Sequence, residues 1–238
     1  MAYGSQQTLP LMPGLSIFIS CEHAGNQVPV RYRSLFTSEE VLNSHRGWDP
    51  GALDIAVALS EELDLPCFTH QTTRLLVEVN RSLGHPQLFS EFSQPLGDED
   101  KQLLLDKYYF PYRLRVENAL TQLTKPVLHL SIHSFTPVLN EKVRLTDIGI
   151  LFDPTRAFEN SLSEKLLNSL QQILPGLRIE FNEPYKGIDD GFTTYLRTRF
   201  TDEEYAGIEI EVNQKVATGD ELEKIIAALR ASILSLHS

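Results

Sequence analysis

Cysteine is scarce in this chain, with only Cys21 and Cys67 among 238 residues. Two isolated thiols make neither a disulfide framework nor a Cys-x-x-Cys pair, so a thiolate zinc site is excluded and a reducing, cytoplasmic setting is expected. Long apolar runs are lacking as well. No stretch approaches the roughly 18 residues that a membrane-spanning helix needs. The opening MAYGSQQTLPLMPG has no basic segment leading into a sustained apolar one, so no secretory leader is expected. Basic residues are outnumbered, with 21 Lys and Arg against 32 Asp and Glu, for a net charge of -11. That balance argues against nucleic acid or an anionic membrane as partner, while still allowing a local cationic pocket for a small acidic molecule. Internal repeats, low-complexity tracts and Gly/Ser/Pro linkers are absent, so residues 1–238 are expected to form one domain. The sequence carries no signal for an oligomeric state.

What is present is an alternation of apolar runs and amphipathic segments. Leu15–Ser20 (LSIFIS), Pro66–His70, Arg74–Val79 (RLLVEV), Pro126–Ile132 (PVLHLSI), Asp147–Phe152 (DIGILF), Leu177–Phe181 and Gly207–Val212 (GIEIEV) read as strands. Ser38–Leu42, Pro50–Leu63, Asp98–Leu123 with a break near Pro111, Ser161–Ile173, Gly191–Phe200 and Gly219–Leu236 read as helices. Strands apolar on both faces and alternating with helices predict an α/β fold: a single domain with a mostly parallel mixed sheet and helices on both faces.

In open α/β sheets the chemistry lies beyond the carboxyl ends of the strands, so the residues after each apolar run matter most. LSIFIS leads into Cys21-Glu22-His23, RLLVEV into Asn80-Arg81-Ser82, VLHLSI into His133-Ser134, and GIEI into Glu211-Val212-Asn213. Two histidines at equivalent strand ends with carboxylates nearby suit a metal, because imidazole and carboxylate are the usual zinc donors where thiolates are missing. His129 and His133 are four apart, but on a strand that spacing separates them by about 13 Å, so His129 is expected to be structural. His45 is a weaker site candidate. Asp49, just before Pro50-Gly51, is either the cap of the following helix or a site residue. Glu209 and Glu211 share one face of their strand, and buried carboxylates there need a metal, an Arg or solvent. Arg81 has a guanidinium that can grip a carboxylate with two parallel hydrogen bonds, and Arg74 can do so too.

The segments SCEHAGNQVP, HRGWDPGA, RLLVEVNRS, HLSIHSFTP, DIGILFDP and NEPYKG, in this order and spacing, resemble the N-formylglutamate amidohydrolases. The resemblance runs from about residue 15 to residue 215. It implies a phosphorylase/hydrolase-like, zinc-carboxypeptidase-like fold and a zinc-dependent amidohydrolase, with a small N-acyl amino acid such as N-formylglutamate as substrate. Carried over residue by residue, it makes His23 and His133 metal ligands, Asn80 and Arg81 a substrate-carboxylate clamp, and Glu211, in preference to Glu209, the general base. It also implies one Zn2+ per chain. Where the carboxypeptidases have a ligating Glu three residues after the first His, this chain has Asn26, a poor ligand. The third ligand must therefore come from elsewhere, with Asp49 the first choice and Glu22 the second. A non-catalytic relative that binds a small acidic ligand or a metal is the alternative, and the base at 211 argues against it. The loop NEPYKGIDDGFTTYL is either a lid or a plain surface loop, with Tyr185 and Thr193 as its pocket candidates.

Overall fold

A computed structural model describes residues 14–236; the opening stretch read above for a leader lies, up to residue 13, outside the described residues. Strands β1 (Ser16–Cys21), β2 (Cys67–Thr69), β3 (Val127–Phe135), β6 (Ile148–Leu151), β7 (Ile179–Phe181) and β8 (Tyr205–Asn213) form one sheet in the order β2-β1-β3-β8-β6-β7. All neighbours are parallel except β6 and β8, so the sheet is mostly parallel and mixed. Strands β4 (Val138–Leu139) and β5 (Lys142–Val143) form a separate hairpin.

Helices α2 (Ala52–Leu63), α5 (Ala157–Ile173) and α7 (Gly219–Ser235) cover one face of the sheet, where Ile17, Ile19, Leu128, Leu130, Ile208 and Ile210 are buried. Helices α3 (Asp98–Leu104), α4 (Phe110–Gln122) and α6 (Phe192–Arg197) cover the other face over Phe18, Val127 and Tyr205. A short helix α1 (Glu39–Asn43), capped by the Ser38 side chain, lies before α2. Two sequence expectations change. The run Arg74–Val79 is a chain of turns instead of a strand: its backbone N–H groups go to nearby carbonyls, Leu76 to Thr73 and Glu78 to Leu88, and no strand lies beside it. The helix from Asp98 also does not break at Pro111. A wider π turn over Leu105–Tyr109 lets Phe110 N–H reach back to the Leu105 carbonyl, and α4 starts with Pro111 in its first turn, where a missing N–H costs nothing.

The register explains where the polar residues sit. Across β1, β3 and β8 the pairs align Phe18 with His129 and Gly207, then Ser20 with Ser131 and Glu209, and at the carboxyl end His133 with Glu211. Alternation puts all of these on the α4/α6 face. This seam is polar inside an otherwise apolar layer, so each group must find a partner. His129 does: its ring stacks on Phe18 at 4.3 Å and bonds Ser20 Oγ at 2.6 Å and Tyr205 OH at 2.8 Å. Burial pushes its pKa down to about 4, so it is a neutral structural histidine near pH 7. Gly207 allows this, because a Cβ there would meet the Tyr205 hydroxyl at 2.5 Å and its ring carbons at 2.9–3.0 Å.

Tyr205 is fully buried and cannot swing away. Gly207→Ala is therefore expected to cost about 1–3 kcal/mol of unfolding free energy, read from the urea midpoint by circular dichroism. An unchanged midpoint would show that the Tyr205 ring yields.

Candidate active site

The site forms where β1 is flanked by β3 on one side and β2 on the other, so the chain leaves β1 in one direction and returns in the other. Such a reversal opens a crevice at the carboxyl ends of the strands. His23 follows β1, His133 ends the polar row of β3, and Asp49 stands before α2. Asp49 is not the helix cap: Gly51, at φ 84°, holds that position. Instead the Asp49 carboxylate turns inward, with Oδ2 3.1 Å from His23 Nδ1 and 2.9 Å from His133 Nδ1. The two Nδ1 atoms are 3.2 Å apart. All three residues are buried.

Behind each imidazole stands a carboxylate. His23 Nε2 lies 2.6 Å from Glu78 Oε1. His133 Nε2 lies 3.2 Å from Glu22 Oε2 and 3.0 Å from Ser131 Oγ, which donates to the same Glu22 oxygen at 2.7 Å. Ionised carboxylates only accept, so each Nε2 hydrogen points back at its carboxylate, and a protonated imidazole donates from Nδ1 to Asp49 as well. Glu22 also accepts from Tyr112 OH at 2.8 Å. It is thus a buttress on the far side of His133 and does not join the converging atoms. Asn26 points elsewhere, donating to the Leu42 carbonyl. Arg74 bridges the remaining oxygens, at 3.3 Å from Asp49 Oδ1 and 2.6 Å from Glu78 Oε2.

Burial alone would raise these carboxyl pKa values and lower those of the imidazoles, yet the pairing wins. Asp49 is held well below the usual carboxylate range by the His23 charge and by hydrogen bonds from both histidines. Glu78 is held there by Arg74 and His23, and Glu22 by His133. In return His133 is raised, by its hydrogen bonds to Asp49 and Glu22 against burial, and His23 by Glu78 and Asp49 against burial and Arg74. Glu211 differs. Burial is the largest influence on it and lifts it to about 7, and its Oε2 is buried without a hydrogen-bond partner. Glu209, its neighbour on the same face, is engaged by the Thr193 hydroxyl.

A cavity of about 150 Å³ is lined by His23, Asp49, His133, Glu211, Asn80 and Arg81, with Arg74 and Tyr185 at its side. All six residues singled out in the sequence therefore border one space. Asn80 Oδ1 accepts from Phe192 N–H at 2.7 Å, and the Arg81 guanidinium bonds the Asp190 carbonyl, tying the clamp candidates to the 187–191 loop. Tyr185 lines the cavity, whereas Thr193 lies behind it on Glu209.

Comparison with known proteins matches this architecture. The family model for N-formylglutamate amidohydrolase matches residues 15–217. The chain belongs to that family. A gene product of Agrobacterium tumefaciens is similar in structure, with a TM-score of 0.76 and 26% identity, over 93% of this chain and 90% of that one. An N-formylglutamate amidohydrolase from Ralstonia eutropha shares the fold at a TM-score of 0.67 and 16% identity, over 95% of each chain. No curated protein matches the chain in sequence. Among the described residues no helix is long and apolar enough to cross a membrane.

Glu78, Ser131 and Tyr112 escaped the sequence reading of this amidohydrolase-family site, and Glu22, its second choice for the third ligand, stands behind His133 instead. The signal for Glu78 was there: a carboxylate inside an apolar run is costly unless paired, the argument already applied to Glu209 and Glu211. The raised Glu211 carboxyl has a consequence for stability. Its proton stabilises the fold fully below the usual Glu value of 4.5, and this contribution is lost as pH rises through about 7. In metal-free protein, Glu211→Gln is expected to unfold like the parent at pH 4 and to be more stable at pH 8 by on the order of 3 kcal/mol. Denaturant titrations at both pH values test this; a difference that does not change with pH contradicts it.

Proposed function

We propose that this chain hydrolyses the amide of a small N-acyl amino acid such as N-formylglutamate, with a zinc ion held by His23, Asp49 and His133. The convergence of two Nδ1 atoms and one carboxylate oxygen at 2.9–3.2 Å carries the reading. Ligands of a tetrahedral zinc at 2.0–2.1 Å stand about 3.3–3.4 Å from one another, so the three atoms need open only slightly. The charges fit as well. The cluster holds three carboxylates, Asp49, Glu22 and Glu78, and one guanidinium, Arg74, which pairs with Asp49 and Glu78; this leaves two negative charges for a divalent cation once both imidazoles are neutral. Their Nε2 hydrogens on Glu78 and on the Glu22–Ser131 pair fix the tautomer that frees Nδ1 for a metal.

A zinc ion in such a site supplies Lewis acidity, acidifying water and polarising the acyl carbonyl. The rest falls to the protein. Arg81 pairs with the substrate carboxylate, and this contact orients the scissile amide toward Glu211. Glu211, buried beside the three donors with its Oε2 unpartnered, takes a proton from the attacking water and gives it to the leaving nitrogen as the C–N bond breaks.

Purified protein is expected to carry about one zinc per chain by elemental analysis and to release glutamate from N-formyl-L-glutamate until a chelator is added. His23→Ala or His133→Ala should lose the metal. Glu211→Gln should keep it while kcat falls by about 10²–10⁴-fold; a variant that still turns over at the parental rate would favour a binding protein. Glu78→Gln leaves every proposed ligand in place yet is expected to weaken zinc by about 10–100-fold, measured by competition with a chromogenic chelator. Unaltered affinity would remove Glu78 from the metal site.

A further inference from the structure

A formyl group is one carbon and an oxygen, and the inner cavity already holds the donors, the base and the clamp. Yet a second cavity of about 590 Å³ opens directly onto it. Asp49, Arg74, Arg81, Ser134 and Tyr185 line both, so the two are one continuous space divided at the Asp49–Arg74 pair. Pockets of about 300–1,000 Å³ are the size that holds drug-sized ligands. An N-formyl amino acid would leave this outer groove empty.

The walls have a definite chemistry. Phe89, Phe135, Leu139 and the Tyr185 ring give apolar surface, and Gln94 and Ser90 give hydrogen-bonding groups. Arg46 and His45 stand beyond them. The Arg144 guanidinium packs over the rings of Phe135 and Tyr185, 5.5 and 4.9 Å from their centroids, and donates to Tyr185 OH at 2.9 Å. Arg46, Arg74 and Arg81 line the opening, with Arg144 stacked on Phe135 and Tyr185 of its wall, in a chain of net charge -11. Three carboxylates, Asp49, Glu78 and Glu91, also line it: Asp49 pairs with Arg74 and the two site histidines, Glu78 with Arg74 and His23, and Glu91 with Arg46 at the rim. Four guanidinium groups against three carboxylates leave the wall cationic, and the His45 imidazole, pushed down first by burial, is lowered further by Arg46, Arg144 and Arg74.

We propose that the substrate's acyl part is a chain of several carbons ending in a carboxylate, of the succinyl type, which lies in this groove with its anionic end toward Arg46. The proposal rests on the hydrolase reading above and adds the substrate class. The amino-acid carboxylate stays on Arg81 in the inner cavity, and the acyl chain runs outward past Ser134 and Phe135. One water is consumed: its oxygen bonds to the acyl carbon, the C–N bond breaks with the electron pair going to nitrogen, and the nitrogen takes the proton. The products are a free amino acid and a dicarboxylate.

The test compares kcat/KM of the zinc-loaded full chain for N-formyl-, N-acetyl-, N-butanoyl- and N-succinyl-L-glutamate. The succinyl compound should exceed the formyl one by about tenfold or more, the value of one good charged contact, with butanoyl in between. Arg46→Ala should lower the succinyl-to-formyl ratio by about fivefold, the scale of a half-exposed charge pair. Leu139→Trp, which narrows the groove without removing a charge, should lower the ratios for succinyl and butanoyl alike. If the formyl or acetyl compound is preferred and neither variant moves the ratios, the groove assignment is overturned and the hydrolase reading stands. Butanoyl cleaved as well as succinyl overturns the anionic end. Cleavage of none of the four overturns the hydrolase reading, and the proposal with it.

Discussion

Everything at this site depends on which nitrogen of each histidine carries the hydrogen. Once each imidazole gives up its Nδ1 hydrogen, Glu78 behind His23 and the Glu22–Ser131 pair behind His133 keep the other on Nε2, because an ionised carboxylate can only accept. With both Nε2 hydrogens committed backward, both Nδ1 atoms face forward to the same Asp49 oxygen. Remove a buttress and the imidazole can rotate or change tautomer, and the convergence is gone. This constraint also accounts for burying so many ionisable groups in one place. Asp49, Glu78 and Glu22 each have a cationic or hydrogen-bonding partner, so these three avoid the cost of an isolated buried charge.

The fold supplies the positions. Parallel β1, β3 and β8 in fixed register stack their polar residues in rows, and the last row sets His133 beside Glu211 on adjacent strands. Antiparallel β6 then closes the far side, where Gly149 pairs with Glu211 and the Glu183 carbonyl crosses so close that no Cβ would fit. Glu211 is thereby enclosed on the β6 side while its Oε2 has no partner. Glu211, beside the proposed metal site, is made harder to ionise by desolvation, whereas Asp49, equally buried, is held ionised because two histidines face it. The same burial yields two carboxylates with opposite proton affinities.

The sequence disclosed the architecture and three of the six pocket residues for one reason. Apolar runs mark strands, and the polar residue that ends a run marks the carboxyl edge. That logic placed His23, His133 and Glu211 on one rim, and burial periodicity put Glu209 and Glu211 on one face. It failed where tertiary contact overrode local preference. RLLVEV has the composition of a strand but no partner strand, and it folds as turns whose apolar side chains fill the α4/α6 core while Glu78 reaches His23. Pro111 looked like a break because the pattern assumes i→i−4 bonding, and a π turn relaxes that assumption. Glu22 adjoins His23 in sequence, yet strand alternation sends it to the back of His133. Only the register of β1 against β3 reveals that.

The groove is where sequence had least to offer. Its walls come from segments around residues 45, 89, 94, 135 and 139, of which only those at 45 and 135 fall in motif segments, and volume is a property of how elements pack. Charge gives the same lesson. A net of -11 describes the surface as a whole, while Arg46, Arg74, Arg81 and Arg144 gather at one opening from four separate parts of the chain. Low-dielectric walls concentrate the field of such a cluster, so an acidic protein can still draw an acidic substrate. The Asp49–Arg74 pair divides the two cavities and belongs to both. Arg74 holds the oxygen of Asp49 that faces away from the histidines and at the same time presents its guanidinium to the groove. Under the proposed reading, a substrate charge in the outer cavity and the Asp49 carboxylate in the inner one would therefore act on a single side chain, Arg74.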